Sequence, residues 1–213
     1  MRVAILGGGG FRVPLVAGAL AGSRLQVTEL ALFDPDPDRL AVMAAVLRDR
    51  RVSTTTSLDA AVTGADVVFS AVRPGGVAGR VADERSALDA GVLGQETVGA
   101  GGLSYAFRCV PVVREHAERI AARAPGAWVI SMTNPAGLVT EVMADVLGPR
   151  VLGVCDSPSG LVRRAALALG LEPAQVEVDY LGINHLGWLR ALRSGGTDRL
   201  PELLADPAAL ART

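Results

Sequence analysis

The sequence predicts an α/β chain of Rossmann-like, doubly wound type: a parallel sheet covered on both faces, followed by the start of a second, α+β domain. Three observations carry this reading. Short apolar runs rich in β-branched residues alternate with longer segments of helical period. Four glycines, Gly7-Gly8-Gly9-Gly10, stand between the first such run and the first helical segment. From Val176 onward the pattern changes to the loose alternation of paired strands. A chain of 213 residues suffices for one full domain and part of another, so the expected division is 1–172 for a nucleotide-binding domain and 173–213 for the beginning of another.

Taken in order, Val3-Ala4-Ile5-Leu6 reads as the first strand, the segment after Phe11 as a helix through Leu20, and 27–33 as the second strand. A helix follows over about 36–48. Further strands are read at 52–55, 66–70, 127–131 and 151–154, with helices near 80–89, 105–123, 136–146 and 158–169. The segments 176–180 and 188–192 read as strands of the second domain.

Composition narrows the class of partner. Lys+Arg 21 against Asp+Glu 22 leaves a net charge of −1, so nothing recruits nucleic acid or a membrane surface electrostatically. The apolar start, Met1 to Leu6, is too short for a secretory signal, and no apolar run is long enough to span a bilayer. With only Cys109 and Cys155, a disulfide framework is not expected, and cytoplasmic residence with reduced thiols is.

The glycine run is placed where absent side chains let backbone N–H groups approach a pyrophosphate at a helix N-terminus. The third glycine of a G-x-G-x-x-G fingerprint is missing: that position holds Arg12 or Val13, depending on the starting glycine. Asp34 ends the second strand, where its carboxylate can accept from ribose hydroxyls and repel a 2′-phosphate, which favours NAD over NADP. The alternative is a plain tight turn with Asp34 as a helix cap. Phe11 and Arg12 beside the glycines, and Arg39 beyond Asp34, complete the cofactor-binding candidates.

Several separated motifs extend over nearly the whole chain: Gly7 to Gly10 with Pro14, Arg73-Pro74-Gly75-Gly76, Gly94-Gln95-Glu96-Thr97-Val98-Gly99-Ala100-Gly101-Gly102, Thr133-Asn134-Pro135, Cys155-Asp156-Ser157-Pro158 and Gly182-Ile183-Asn184-His185. On these the chain resembles the family 4 glycoside hydrolases. That family is similar in fold to lactate and malate dehydrogenases, uses NAD and a divalent metal, usually Mn2+, and acts mostly on 6-phosphorylated glucosides rather than by the common two-carboxylate route. The resemblance implies hydride transfer from sugar C3 to NAD+, loss of the acidified C2 proton to a base, metal stabilisation of the enediolate, elimination, water addition and return of the hydride.

By the same resemblance Cys155 and His185 are the metal ligands, Arg73 contacts the substrate phosphate, and Asn134 touches the sugar. Asp156 is the general acid, and Glu96 lines the pocket near the metal or the leaving group. From the residues alone, Cys155 ends an apolar run at the carboxyl edge of a sheet, where open α/β folds keep ligands, yet a buried inert cysteine is the commoner reading of a free thiol. His185 alone would more often be a structural histidine. Asn134 follows a buried-looking strand and precedes a proline, which sets its amide at the same edge, with a helix cap as the alternative; for Arg73 the alternative is a surface arginine. Cys109 and His116 read as ordinary helix residues, and Arg80, Arg85, Arg163 and Arg164 as solvated ones. Cys-Asp at 155–156 leans toward α-linked substrates, whereas the surroundings of Arg73 and Glu96 lean toward 6-phospho-β-glucosides, the preferred reading. The family's catalytic tyrosine matches neither Tyr105 nor Tyr180. It is expected beyond Thr213, which would make this an incomplete fragment, inactive alone, of an enzyme that is a homo-oligomer when full length. A 6-phospho-α-glucosidase or α-galacturonidase of the same family, a 2-hydroxyacid or malate-type dehydrogenase, and a non-catalytic NAD-binding module are the competing readings.

Overall fold

The computed structural model of the chain describes residues 1–211 and 213. The chain divides into two compact units, Met1–Val154 and Cys155–Thr213. Along the first run β1 (Arg2–Leu6), α1 (Val13–Ala21), β2 (Glu29–Phe33), α2 (Pro37–Leu47), β3 (Val52–Thr55), α3 (Leu58–Val62), β4 (Val67–Ser70), α4 (Gly76–Asp89), α5 (Gly99–Arg123), β5 (Trp128–Ser131), α6 (Ala136–Leu147) and β6 (Val151–Gly153). Along the second run α7 (Ser157–Ala168), β7 (Glu177–Ile183), β8 (Leu186–Ser194), β9 (Thr197–Asp198), α8 (Leu200–Ala205) and α9 (Pro207–Leu210).

The first unit is the doubly wound parallel sheet that the sequence predicts, in the order β3-β2-β1-β4-β5-β6. Strand order reverses at β1, whose neighbours are β2 and β4, so its carboxyl end lies at a topological switch point, where such folds place ligands. Because strand side chains alternate, β1 feeds both faces. Val3 and Ile5 pack with Val13, Leu40 and Met43 of α1 and α2, while Ala4 and Leu6 pack with Val113, Val139 and Met143 of α5 and α6. Fully buried residues such as Ile5 and Leu32 each contribute about 1.5–3 kcal/mol.

The helix that follows β2 is set by local chemistry. Asp36 caps it, accepting from the N–H groups of Asp38 and Arg39 at 2.9 and 3.2 Å, with Pro37 in the first turn. Two helices start earlier than their period suggests. The first turns of α4 and α5 are Gly76 and Gly99-Ala100-Gly101-Gly102, which read as loop because glycine is a poor helix former. At α5 the absent side chains are what the fold uses. A Cβ on Gly101 would lie 2.2 Å from the Gln95 carbonyl oxygen, and one on Gly102 would lie 2.4 Å from that of Thr97. The short α3, β9, α8 and α9 leave too few periods to be read from sequence.

In the second unit β7, β8 and β9 form an antiparallel sheet, joined between Ile183 and Leu186 by the two-residue turn Asn184-His185. Helix α7, read above with the first domain, shares this unit's core: Ala165 and Ala166 pack with Leu192, Leu200 and Leu203. Among the described residues no helix is long and apolar enough to cross a membrane.

Candidate functional site

In the first unit the candidate residues gather where β1, β2, β4 and β5 end. Gly7 has φ +87°, and a Cβ there would lie 2.5 Å from the Ala71 carbonyl oxygen beyond β4. On Gly8 it would meet Leu32 at 2.7 Å, and on Gly9 the Arg39 Cβ at 2.6 Å. The glycines are thus dictated by close approach of β1's exit to both neighbours. Their N–H groups are committed inside the fold: those of Gly7 and Gly8 donate to Phe33 O, that of Gly9 to Asp34 Oδ2, and that of Gly10 to Gly7 O. The glycines therefore supply room, and donors for an anion have to come from Phe11 onward. Phe11 is exposed, with the Arg12 guanidinium 5.2 Å from its ring centre, a cation–π distance.

Asp34 is 4% exposed. One oxygen takes the Gly9 N–H at 3.0 Å and the other the Asp36 N–H at 3.1 Å. A carboxylate offers about four acceptor positions, so room remains for two hydroxyl donors. Arg39 reaches the same turn, donating from Nη2 to Gly9 O at 3.2 Å.

Arg73 and Glu96 meet across 23 residues. The guanidinium donates to Glu96 Oε1 and lies 5.7 Å from the Tyr105 ring centre. Arg80 reaches Glu96 Oε2 at 3.6 Å and pairs with Glu84 at 2.7 Å. It is an exposed residue of α4, as its position suggested, with its guanidinium turned toward the Glu96 loop. One carboxylate thus gathers two guanidinium groups, an arrangement built to hold negative charge. Behind it, burial pushes the Tyr105 hydroxyl far above its ordinary pKa and the Cys109 thiol up to about 11. Cys109 stays an inert thiol.

Asn134 is half-buried just beyond β5, and its peptide bond to Pro135 is cis. The preceding Thr133 is 2% exposed and accepts the Val72 N–H at 3.0 Å, which ties this loop to the exit of β4 beside Arg73.

In the second unit, two candidates 30 residues apart come together. Cys155 Sγ lies 3.5 Å from His185 Nε2, and the Ser157 N–H points at the same sulfur at 3.5 Å. His185 occupies the hairpin turn at φ +58°, a left-handed conformation that costs a side-chain-bearing residue about 1–3 kcal/mol. With metal–sulfur and metal–nitrogen bonds of about 2.3 and 2.1 Å, two ligands of one cation stand about 3.1–3.6 Å apart, so the pair fits that role. Among the described residues no cluster of three or more His, Cys, Asp or Glu side chains is present. Asp156 is exposed, at the N-terminus of α7.

A family model for the family 4 glycosyl hydrolases matches residues 2–171. The chain belongs to that family. It is 33% identical to the maltose-6′-phosphate glucosidase of Clostridium acetobutylicum, over 94% of this chain and 48% of that relative. The structure of the 6-phospho-β-glucosidase of Thermotoga maritima with manganese, NAD+ and glucose 6-phosphate superposes with a TM-score of 0.85, at 29% identity, over 96% of this chain and 53% of that one. A lactate dehydrogenase from Eimeria maxima with NADH and oxamate superposes with a TM-score of 0.65 at 18% identity, over 99% of this chain and 63% of that one, a likeness of fold alone. The chain spans about half the length of the glucosidase relatives it matches.

Sequence reasoning passed over Asp83 and Arg108, which lie on the facing helices α4 and α5. Asp83 was the readable one, a carboxylate on a helix that proves 3% exposed and paired with Arg108.

Proposed function

We propose that this chain forms the NAD- and metal-binding part of a glycosidase acting on 6-phosphoglycosides, with 6-phospho-β-glucosides as the first substrate class to test. The observation that carries the reading is the approach of Cys155 Sγ to His185 Nε2 at 3.5 Å. A thiolate and an imidazole brought together over 30 residues can share one cation, although both suit Mn2+ less well than carboxylates do; members of the family have been solved with manganese. When bound, NAD would supply a reversible hydride acceptor at sugar C3, and the cation would polarise the neighbouring sugar oxygens.

The residues divide the remaining work. Gly7, Gly8, Gly9 and Gly10 leave space for the dinucleotide, Phe11 and Arg12 face its phosphates, and Asp34 with Arg39 holds the adenosine ribose. Arg73 takes the substrate phosphate, for which a guanidinium fork is suited, and Glu96 aims that guanidinium. Asn134 donates to a sugar hydroxyl. Cys155 and His185 hold the cation, and Asp156 protonates the departing oxygen. Residues 1–172 are assigned to the cofactor and 173–213 to the start of the substrate and metal domain. Catalysis by the whole protein requires groups beyond those named here, and oligomerisation and cytoplasmic residence remain part of this reading.

A second reading, a 6-phospho-α-glucosidase, rests on Asp156 directly after Cys155 and on the maltose-6′-phosphate relative. The test begins with thermal-shift titration of the chain against NAD+, NADP+ and Mn2+, since a ligand of the native state alone raises its stability. Stabilisation by NAD+ over NADP+, and by Mn2+ only while Cys155 is present, is the expected result. Absence of an NAD+ response, or a Mn2+ response unchanged in Cys155→Ser, overturns it. Hydrolysis of paired α- and β-linked chromogenic 6-phosphoglycosides by the whole protein then separates the two anomers.

A further inference from the structure

Asp83, itself buried, accepts three hydrogen bonds between α4 and α5. Arg108 Nη2 donates to its Oδ1 at 2.6 Å, Nη1 to Oδ2 at 3.1 Å, and Ser104 Oγ to Oδ1 at 2.7 Å. Both donors come from α5 and are four residues apart, so one turn of that helix grips a single carboxylate of α4.

The guanidinium needs a notch to get there. A Cβ on Gly79 would lie 2.7 Å from Arg108 Nη1, and one on Gly75 would lie 2.9 Å from its Cδ. These two glycines frame the anion-facing arginines. Gly75 follows Arg73 by two residues, and the Gly76 N–H donates back to Arg73 O at 2.9 Å. Gly79 immediately precedes Arg80, which reaches Glu96. On α5, Tyr105 supports the Arg73 guanidinium one turn before Arg108.

We propose that the Asp83–Arg108 pair, seated in the notch of Gly75 and Gly79, is a positioning device that fixes the aim of Arg73 and Arg80 on the Glu96 carboxylate. It rests on the reading that Arg73 meets the substrate phosphate. The pair touches neither arginine's guanidinium; it acts by setting the height of the first turn of α4 against α5.

Gly79→Ala separates this from a merely structural pair. Gly79 lies inside a helix, where alanine is the better former, and the atom in its way is the flexible end of Arg108. The variant is therefore expected to stay folded while its Arg73 Nε–Hε NMR signal shifts and its affinity for glucose 6-phosphate falls at least fivefold. Arg108→Lys, which keeps the charge and loses the fork, should do the same and serves if the first variant folds poorly. Arg73 signals unmoved in both variants overturn the proposal. If the unaltered chain binds glucose 6-phosphate no better than glucose, the phosphate reading falls, and the Arg73 signal still decides whether the pair positions that side chain.

Discussion

Gly102→Ala is expected to destabilise the chain even though it places a better helix former in a helix. By propensity alone the change is worth about 0.5–1 kcal/mol in favour of alanine. Against that, the new Cβ would stand 2.4 Å from both the carbonyl carbon and oxygen of Thr97. No rotamer change relieves a contact with backbone, so the 95–97 segment or the first turn of α5 must move. Overpacking of this kind costs about 1–3 kcal/mol, leaving a net loss of about 0–2.5 kcal/mol, centred on about 1 kcal/mol. For a chain of this size that centre is a fall in Tm of about 2–4 °C. The control is Gly18→Ala in α1, where a Cβ meets nothing within 4 Å; it should raise Tm by about 1–4 °C. Differential scanning calorimetry of both variants beside the parent reads the two signs directly. A Gly102→Ala protein as stable as the parent would refute the claim that α5 starts in contact with the Glu96 loop.

Other substitutions probe different parts. Asp83→Ala removes the acceptor of Arg108 and Ser104; because the Arg108 side chain is 34% exposed and regains water, the expected cost is about 2 kcal/mol, below that of a fully buried pair. Urea denaturation checks it, and a loss under 0.5 kcal/mol would show the seam to be held by other contacts. Replacing His185 by glycine should relieve the left-handed strain and leave stability equal to or above that of His185→Ala, while both lose Mn2+ binding by calorimetry; equal Mn2+ affinity in either variant contradicts the ligand assignment. Burial depresses the His116 pKa, so protons bind the unfolded chain more readily there, and the histidine's contribution is complete above about 6.5 and lost as pH falls toward its folded value. Urea midpoints at pH 7.5 and 5.5 should therefore differ more for the parent than for His116→Phe; equal differences would remove His116 as the cause.

How much was legible follows from range. Strands β1, β2, β4 and β5, helices α2 and α6, and the glycine turn are local: alternation, helical period and caps are written in neighbouring residues. Asp34, Arg73, Asn134, Cys155 and His185 were named as candidates by motif, and their placement at strand and hairpin ends follows from where each apolar run stops. The α5 start was missed because its glycines answer to a segment four to six residues upstream, a packing demand that propensity cannot express. Arg80 is exposed as its position suggested, but its reach to Glu96 depends on where α4 begins. Likewise His116, which reads as an ordinary helix residue, is buried with its Nδ1 unpartnered and its ring edge-on to Phe33 of β2.

The sequence by itself determined the fold class, the family and the kinds of chemistry available, because these depend on residue type and spacing along the chain. Tertiary structure alone decided which side chains meet: Arg73 with Glu96 across 23 residues, Cys155 with His185 across 30, and Asp83 with Arg108 across 25. It also decided that the cradle glycines provide room rather than donors. Each is a matter of distance between segments far apart in sequence, set by how helices and strands pack rather than by any local preference.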